Sequence, residues 1–264
     1  MKLTNKNYYS QKADTEYLSC SQYKDFIGSL GKKGCEAHAM AKLKGEWEDE
    51  TTIPMLVGSY IDSYLEGTLE EFKENRPEIF TKQGTLKAEY RQAEIIIERI
   101  KKDKLFMEHL DGEKQVIMTG EIGNAKFKIK MDSYIKDKAI VDLKIVKDIK
   151  ERFWVKDYGY VNFIENWGYD LQLAIYQEIV RQNTGKKLPC IIAVADKQKV
   201  PNIELIKIPQ WVLDDCINGI EGNIDHILKL KSGEIEPTRC GQCDYCKSTK
   251  VLNGYIPFDR LVEV

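Results

Sequence analysis

Residues 128–146 read KIKMDSYIKDKAIVDLKIV, and this stretch decides the fold class. Polar and apolar residues alternate along it with the two-residue side-chain period of a β-strand. A polar turn at residues 136–138 predicts two antiparallel strands, at 126–135 and 139–146. The core face of the first strand would carry Phe127, Ile129 and Met131. Its solvated face would carry Lys126, Lys128, Lys130 and Asp132.

The residues before this hairpin have a mostly helical pattern. Apolar residues recur at helical spacing in residues 53–65 and 86–110, with a charged connection at 67–84. Gly67 is a suitable stop for the first of these helices. The alternating pattern begins near residue 114, which adds a strand at residues 115–119.

The residues after the hairpin predict a helical crossover back to the sheet. A helix is expected at residues 163–182, followed by an apolar strand at 188–195 that should be central in the sheet. Residues 202–208 predict another strand, and Pro209 opens a last long helix. This order is typical of an α/β fold, in which helices flank a mixed central sheet. Here a helical N-terminal region and a C-terminal cysteine segment are added to it.

The composition is that of an ordinary globular protein, since 42% of the 264 residues are hydrophobic and 31% are charged. We expect one domain, 1–264, with a helical part at 1–112, a sheet and helix core at 113–208 and a C-terminal part at 209–264. No apolar run reaches the ~20 residues that span a bilayer, and the start lacks the apolar stretch of a secretory signal. A cytoplasmic protein with no membrane partner is therefore expected.

Asp142 and Lys144 are two residues apart on the second strand, so both side chains emerge on the same face. Asp132 lies across the turn and would approach Asp142 if the register allows. Converging carboxylates repel one another unless a cation joins them, and magnesium, or manganese, prefers such oxygen ligands. The trio therefore predicts metal-assisted phosphodiester hydrolysis. The alternative is the plain polar face of a strand, although apolar residues at 140, 141, 143 and 145 make this strand largely buried.

With these residues the chain resembles the PD-(D/E)XK nuclease superfamily, and within it the RecB-like and RecE-like (exonuclease VIII) branch of phage recombination modules. The resemblance implies a restriction-endonuclease-like sheet. It makes Asp132 the first metal-binding acid, Asp142 the second and Lys144 the catalytic lysine. The proline that usually precedes the first acid is Met131 here.

The helix after the strands extends the resemblance. The branch carries a Q-x-x-x-Y element, which Gln172 and Tyr176 match. A spacing of four puts both side chains on one helical face, where they could contact a DNA phosphate and the catalytic lysine. The alternative is a helix surface with one polar stripe.

The branch also places a histidine in an N-terminal helix, in a G-x-x-x-H context. The matching segment here has Gly58 followed by Asp62 in the histidine position. Asp62 is therefore a candidate further metal ligand, or alternatively a solvated helix residue. Glu121 is a weaker candidate, for which a turn role beside Gly120 and Gly123 is the alternative.

The cysteines suggest a second kind of metal site. Cys240, Cys243 and Cys246 form C-x-x-C-x-x-C, which is one ligand short of a closed four-ligand site. Cys190 and Cys216 suit core positions, which leaves Cys20 and Cys35.

The segment that begins at Cys35 resembles the N-terminal cysteine segment of iron–sulfur members of the RecB-like branch. The resemblance implies that Cys35 completes a four-iron four-sulfur cluster. Zinc held by four thiolates, or reduced cysteines in a surface loop, are the alternatives.

The hairpin region also predicts contact with DNA. The net charge of the chain is −2, but residues 122–160 contain ten lysines and arginines against six acidic residues. Such a local excess next to the proposed metal site suits phosphate contacts. The candidate DNA-binding residues are Lys128, Lys130, Lys147, Lys150 and Arg152. The aromatic residues that follow could stack on an unpaired end or pack in the core, namely Phe153, Trp154, Tyr158, Tyr160 and Trp167.

Together these features predict a magnesium-dependent deoxyribonuclease. The resemblance further implies an exonuclease that acts on double-stranded DNA ends in phage-type recombination, with a single-strand annealing protein as partner and a homo-oligomeric state. The alternatives are a non-catalytic DNA-binding or scaffold protein, an endonuclease, and an end-trimming nuclease like those of CRISPR adaptation.

Overall fold

The structure, a computed structural model, describes residues 1–258. The N-terminal part is helical, as its pattern predicts. Its helices are α1 Gln11–Glu16, α2 Cys20–Ile27, α3 Glu36–Lys44, α4 Ile53–Glu66, α5 Leu69–Asn75, α6 Gln92–Lys101 and α7 Lys104–Leu110. Short 3-10 helices lie at Pro77–Ile79 and Ala88–Tyr90. The last six residues of the expected C-terminal part, 259–264, lie outside the described residues.

Eight strands and four helices, two of them long, follow in residues 116–248. The strands are β1 Val116–Ile122, β2 Ala125–Met131, β3 Ser133–Ile135, β4 Ala139–Val146, β5 Phe153–Val155, β6 Gly159–Val161, β7 Cys190–Asp196 and β8 Ile203–Lys207. The helices are α8 Phe163–Trp167, α9 Tyr169–Thr184, α10 Gln210–Ser232 and α11 Asp244–Ser248. In residues 1–258, no helix combines the length and apolar character that a membrane span needs.

The central sheet has the strand order β3-β4-β7-β8 and is mixed. Strand β4 pairs antiparallel with β3 and parallel with β7, and β8 pairs antiparallel with β7. The apolar strand β7 is therefore central, as predicted, and α8 and α9 form the crossover from β4 to β7. Two hairpins, β1–β2 and β5–β6, lie outside this sheet.

Each face of the central sheet packs against its own apolar core. Along β4, Ile140 lies in a core shared with α9 and α10, whereas Val141 and Leu143 lie in a second core with α4 and α6. This alternation follows the two-residue period of the strand. It places Asp142 and Lys144 on the α9 side, and this side is where the candidate site forms.

Three predicted elements are divided in the structure. The expected strand 126–135 breaks at Asp132, because β2 pairs with β1 while β3 joins the central sheet. The expected helix 86–110 breaks before Asp103, whose carboxylate caps α7 by accepting the N–H of Phe106. The expected helix 163–182 breaks at Gly168, which adopts the left-handed conformation with φ 62°.

Lys128 is not on a solvated face, so its prediction as a DNA-binding residue is wrong. The side chain is 1% exposed, because helix α1 and the residues before it cover this side of β2. Its ammonium lies 2.6 Å from Asp14 Oδ1 and also donates to the carbonyl of Tyr8. The buried ammonium is therefore occupied by partners within the protein, namely a partly exposed carboxylate and a backbone carbonyl.

We predict that Lys128→Ala lowers the free energy of unfolding by about 3 kcal/mol, because it leaves a void where a buried side chain lay and removes the hydrogen bonds of the ammonium to Asp14 and Tyr8. Urea denaturation with an unchanged m value measures this directly. Lys126→Ala is the matched control, since Lys126 lies on the same strand but is exposed and 3.7 Å from Glu16. It should change stability by less than about 0.5 kcal/mol. Equal effects of the two substitutions would contradict the burial argument.

Candidate active site and cysteine cluster

The candidate active site is built around the Asp142–Lys144 pair of β4. Asp142 is 1% exposed and Lys144 is half-buried. The Lys144 ammonium lies 2.5 Å from Asp142 Oδ2. The strand period gives both residues one face, and the neighbouring strands β3 and β7 bury the backbone between them.

Asp132 joins this pair through the register of β3 with β4. Ser133 lies opposite Val141, so continuing the antiparallel register by one residue puts Asp132 opposite Asp142. The Leu143 N–H donates to Asp132 Oδ2 at 3.0 Å, which fixes the carboxylate at the start of β3. The register of β3 with β4 therefore brings the carboxylates of Asp132 and Asp142 together.

Gln172 and Tyr176 reach the same site from α9. The Gln172 Nε2 donates to Asp142 Oδ1 at 2.8 Å and to the Tyr176 hydroxyl at 3.0 Å. That hydroxyl donates to the Lys130 carbonyl at 3.0 Å. The expected helical face is present, but the amide contacts the second carboxylate rather than the lysine. These two side chains therefore orient Asp142.

The electrostatics of the site are those of crowded carboxylates. Burial, and then the charge of Asp142, raise the pKa of Asp132 to about 7. Burial and Asp132 likewise raise the pKa of Asp62 well above its ordinary value. Burial alone would lower the pKa of Lys144, but Asp142 and Asp132 raise it above the ordinary lysine value. Lys144 is therefore a cation, and the carboxyls around it outnumber it.

Asp62 belongs to this electrostatic cluster, whereas Glu121 does not reach it. Asp62 lines the same cleft as Lys144 from helix α4. Among the described residues, the oxygens of Asp62, Asp132 and Asp142 are not all within 4.8 Å of one another. Glu121 is exposed near the end of β1, where its N–H donates to Gln182 Oε1.

The residues present fit a divalent cation. Asp142 Oδ2 is buried and has no well-aligned hydrogen bond among the described residues, although the Lys144 ammonium is close. Magnesium is commonly held by one or two carboxylates, with waters and substrate oxygens completing its shell. Asp132 and Asp142 supply that number, and a cation would relieve the repulsion that raises the pKa of Asp132.

Two further residues of the site were not predicted. The Tyr169 ring lies 4.9 Å from the Lys144 ammonium and lines the cleft. Glu66, one turn after Asp62 on α4, contributes to the raised pKa of both Asp62 and Asp132. Helical spacing could have indicated both, since Tyr169 is three residues before Gln172 and Glu66 four after Asp62.

The cleft that contains Asp62 and Lys144 has a volume of ≈ 620 Å³. Of the remaining predicted DNA-binding residues, Lys147 lines this cleft and pairs with Glu151 at 2.8 Å. Lys150 and Arg152 are exposed in the residues that follow. Lys130 lies with its ammonium 4.7 Å from the Tyr9 ring, in a neighbouring pocket next to Gln172.

The four predicted cysteines do converge. The sulfur atoms of Cys35, Cys240, Cys243 and Cys246 all lie within 4.8 Å of one another. Cys35 and Cys246 are buried, with their sulfurs 3.6 Å apart. Cys35 comes just before α3, and the other three surround the start of α11, so the group joins two distant parts of the chain. Cys190 is buried in β7 as expected, whereas Cys216 is only partly buried.

Local geometry favours the thiolate form of one of these cysteines, Cys240, whereas burial raises the pKa of Cys35 and Cys243. Burial would raise the pKa of Cys240, but the backbone N–H groups of Gln242 and Cys243 donate to its sulfur and lower it to about 6. Glu36 ties the two segments together, because its carboxylate accepts from the backbone and hydroxyl of Thr238 at 2.8 Å. The chemistry of four clustered thiols suits zinc or an iron–sulfur cluster.

A mixed sheet with the D-x-K strand and the Q-x-x-x-Y helix defines a PD-(D/E)XK domain. The chain belongs to the family described as PDDEXK-like domain of unknown function (DUF3799), which matches residues 19–249. Membership confirms the resemblance seen in the sequence and the restriction-endonuclease-like fold class.

One solved structure agrees with this assignment. A crystal structure at 2.19 Å resolution of a protein from Eubacterium rectale, described as a "putative exonuclease", is 53% identical and has a TM-score of 0.96. The match covers 100% of both chains. The structure of SSO0001 is 12% identical over 70% of this chain and 81% of that one, with a TM-score of 0.31, and carries no argument. No curated protein matches the chain.

We predict that Asp132→Asn stabilises the metal-free protein at high pH but not at low pH. The folded-state pKa of Asp132 is raised from 3.8 to about 7, so its contribution to stability is present at low pH and is lost as the pH rises through about 7. In EDTA, the stability of the variant relative to wild type should therefore increase between about pH 4 and about pH 8, as measured by urea denaturation.

Asp137→Asn is the control for this measurement. Asp137 lies in the exposed turn between β3 and β4, where its hydrogen bond to Lys186 lowers its pKa. Its variant should gain no stability over the same pH range. A stability difference for Asp132→Asn that is independent of pH would contradict the prediction.

Proposed function

We propose that the chain is a deoxyribonuclease that requires magnesium or manganese and hydrolyses phosphodiester bonds at DNA ends. The observation that carries the proposal is the convergence of Asp132, Asp142 and Lys144 through the register of β3 with β4. Membership of the PDDEXK-like family and the exonuclease description of the Eubacterium rectale structure support it.

Asp132 and Asp142 would hold the divalent cation, and Asp62 could complete its shell from α4. When bound, the metal supplies a Lewis acid that activates water and screens the phosphate charge. In hydrolysis, a bond forms between phosphorus and the water oxygen, and the bond to the leaving ester oxygen breaks. Lys144 remains protonated beside Asp142, so it stabilises negative charge that develops on the phosphate.

Gln172 and Tyr176 act in this proposal as positioning residues. The Gln172 amide donates a hydrogen bond to Asp142 Oδ1. The Tyr176 hydroxyl accepts a hydrogen bond from the Gln172 amide and donates one to the Lys130 carbonyl. Hydrogen bonds of this type fix the direction of a ligand oxygen, and their loss typically costs about 10- to 100-fold in metal affinity or activity.

Lys130, Lys147, Lys150 and Arg152 are proposed phosphate contacts. Lys150 and Arg152 are exposed, and Lys147 lies at the cleft. The resemblance additionally suggests double-stranded ends as substrate, a cytoplasmic role in phage-type recombination, a single-strand annealing protein as partner, and a homo-oligomer.

We also propose that Cys35, Cys240, Cys243 and Cys246 hold a four-iron four-sulfur cluster, with zinc as the alternative occupant. The convergence of four sulfurs within 4.8 Å supports a metal at this position. Such a group would close a single nuclease domain by joining the α3 region to the C-terminal segment. Its role would be structural, since it is built from residues other than those around Asp142.

We predict that Asp142→Ala lowers the rate of digestion of linear DNA by at least about 100-fold. Loss of a residue that only hydrogen-bonds to a metal ligand already costs up to about 100-fold, and Asp142 is itself a proposed ligand. The assay uses labelled linear duplex with magnesium or manganese. Asp137→Asn, a substitution in the same β3–β4 unit, should retain the wild-type rate.

The same assay separates the alternatives. An exonuclease degrades linear duplex and leaves a covalently closed circle of the same sequence intact, whereas an endonuclease cuts both. Equal digestion by wild type and Asp142→Ala, or no digestion by wild type with either metal, would refute the nuclease proposal and favour a DNA-binding or scaffold role.

We predict that protein purified without oxygen is brown and contains four iron and four sulfide per chain, as expected for a cubane cluster held by four cysteines. Cys243→Ser should lose the colour and the iron, whereas Cys216→Ser should keep both, because Cys216 lies outside the sulfur group. Metal analysis and visible absorption measure this. Colourless anaerobic protein with one zinc per chain would contradict the iron–sulfur assignment.

A further inference from the structure

The β5–β6 hairpin presents an aromatic outer face that has no part in the mechanism above. Its register pairs Phe153 with Val161 and Trp154 with Tyr160, so the two pairs lie on opposite faces. Phe153 packs against the core and Val161 is buried, which anchors the inner face. Trp154 and Tyr160 remain 68% and 66% exposed. Large rings in water contribute little to folding, so this surface is suited to binding.

The exposed rings are held in a defined arrangement. The centroids of Trp154 and Tyr160 are 5.2 Å apart with an interplanar angle of 73°. The guanidinium of Arg152 lies 5.5 Å from the Tyr160 ring. Cross-strand aromatic pairing and the cation–π contact therefore reduce the freedom that these side chains would lose on binding a ligand.

A groove of ≈ 750 Å³ lies beside this hairpin. Trp154, Tyr158 and Trp167 supply its aromatic lining, and Arg152 and Lys156 supply its charge. Within residues 1–258, no carboxylate side chain lines it. Aromatic rings for bases and cations for phosphates are the features with which proteins bind single-stranded nucleic acid.

The groove adjoins the cleft of the candidate active site. Phe153 and Trp167, with ring centroids 5.8 Å apart, line both the groove and the cleft that contains Lys144. That cleft, at ≈ 620 Å³, has the volume of a site for small ligands. It therefore suits a few nucleotides of one strand better than a duplex.

We propose that the β5–β6 hairpin is a stacking platform for an unpaired DNA strand. Trp154 and Tyr160 stack on bases, Arg152 and Lys156 contact phosphates, and the strand continues past Phe153 and Trp167 into the cleft that contains Lys144. The inference rests on the proposed nuclease function and adds its substrate class, a DNA end with an unpaired strand.

The test measures DNA binding without cleavage. Fluorescence anisotropy of a labelled oligo-dT strand, in EDTA, compares the full-length wild type with the double variant Trp154→Ala/Tyr160→Ala. The double variant should bind at least about tenfold more weakly, since one stacked base alone contributes that much. Trp154→Phe should retain most of the affinity. Trp211→Ala should retain all of it, because Trp211 is 67% exposed but lies on α10, outside the β5–β6 hairpin and outside the linings of the groove and the cleft.

Each outcome separates this inference from the nuclease proposal. Unchanged oligo-dT affinity in the double variant overturns the platform, even where wild type digests DNA. An equal loss of affinity for a blunt duplex also overturns it, because the surface would then not select an unpaired strand. A selective loss of oligo-dT binding supports the platform, even where wild type digests nothing.

Arg152→Gln keeps the inference testable if the double variant does not fold. It leaves both rings in place and removes one phosphate contact. Oligo-dT binding should weaken and become less dependent on salt concentration. Wild-type affinity and salt dependence in this variant would overturn the proposal.

Discussion

The ion pair of Asp142 and Lys144 is the interaction on which the rest of the structure depends. A carboxylate in the interior costs several kcal/mol unless it is paired and hydrogen-bonded, and about 3–5 kcal/mol is lost when one partner is removed. Asp142 forms an ion pair with the Lys144 ammonium on its own strand and accepts a hydrogen bond from the Gln172 amide on α9. The mixed sheet brings further groups to this pair, because the antiparallel neighbour β3 follows directly on Asp132 and the crossover to the parallel neighbour β7 contains the helix α9 that carries Gln172.

One ammonium cannot balance all the carboxyls gathered around it. Asp132 and Asp62 share the electrostatic environment of Asp142, and burial with mutual repulsion raises the pKa of both. In the metal-free protein these groups oppose folding at neutral pH, since the folded state favours their protonated forms. A site that is unfavourable alone and is relieved by a cation has the thermodynamic character of a metal-binding centre. Under the proposed function, this loss of stability is what a site arranged for a divalent cation would show in the absence of the cation.

Much of this site could be predicted, since it is encoded locally. The two-residue period places Asp142 and Lys144 on one face, and the length of the turn places Asp132 opposite Asp142. The burial of Lys128 could not be predicted, because it depends on α1, more than a hundred residues away in the chain. The break of the predicted strand 126–135 at Asp132 could not be predicted either. Polar and apolar residues continue to alternate across the break, but the paired strand changes from β1 to β4.

The partners of the basic residues explain why a chain of net charge −2 can still attract DNA at one place. Lys128 pairs with Asp14, Lys144 with Asp142 and Lys147 with Glu151, so these charges are largely compensated. Arg152 lies instead against the Tyr160 ring, which leaves its guanidinium charge unneutralised at the surface. At about 0.1 M salt, attraction between exposed charges is largely screened beyond about 10 Å, so the local charge matters more than the total. Positive charge and exposed rings therefore coincide at the hairpin, next to the cleft where the carboxylates lie.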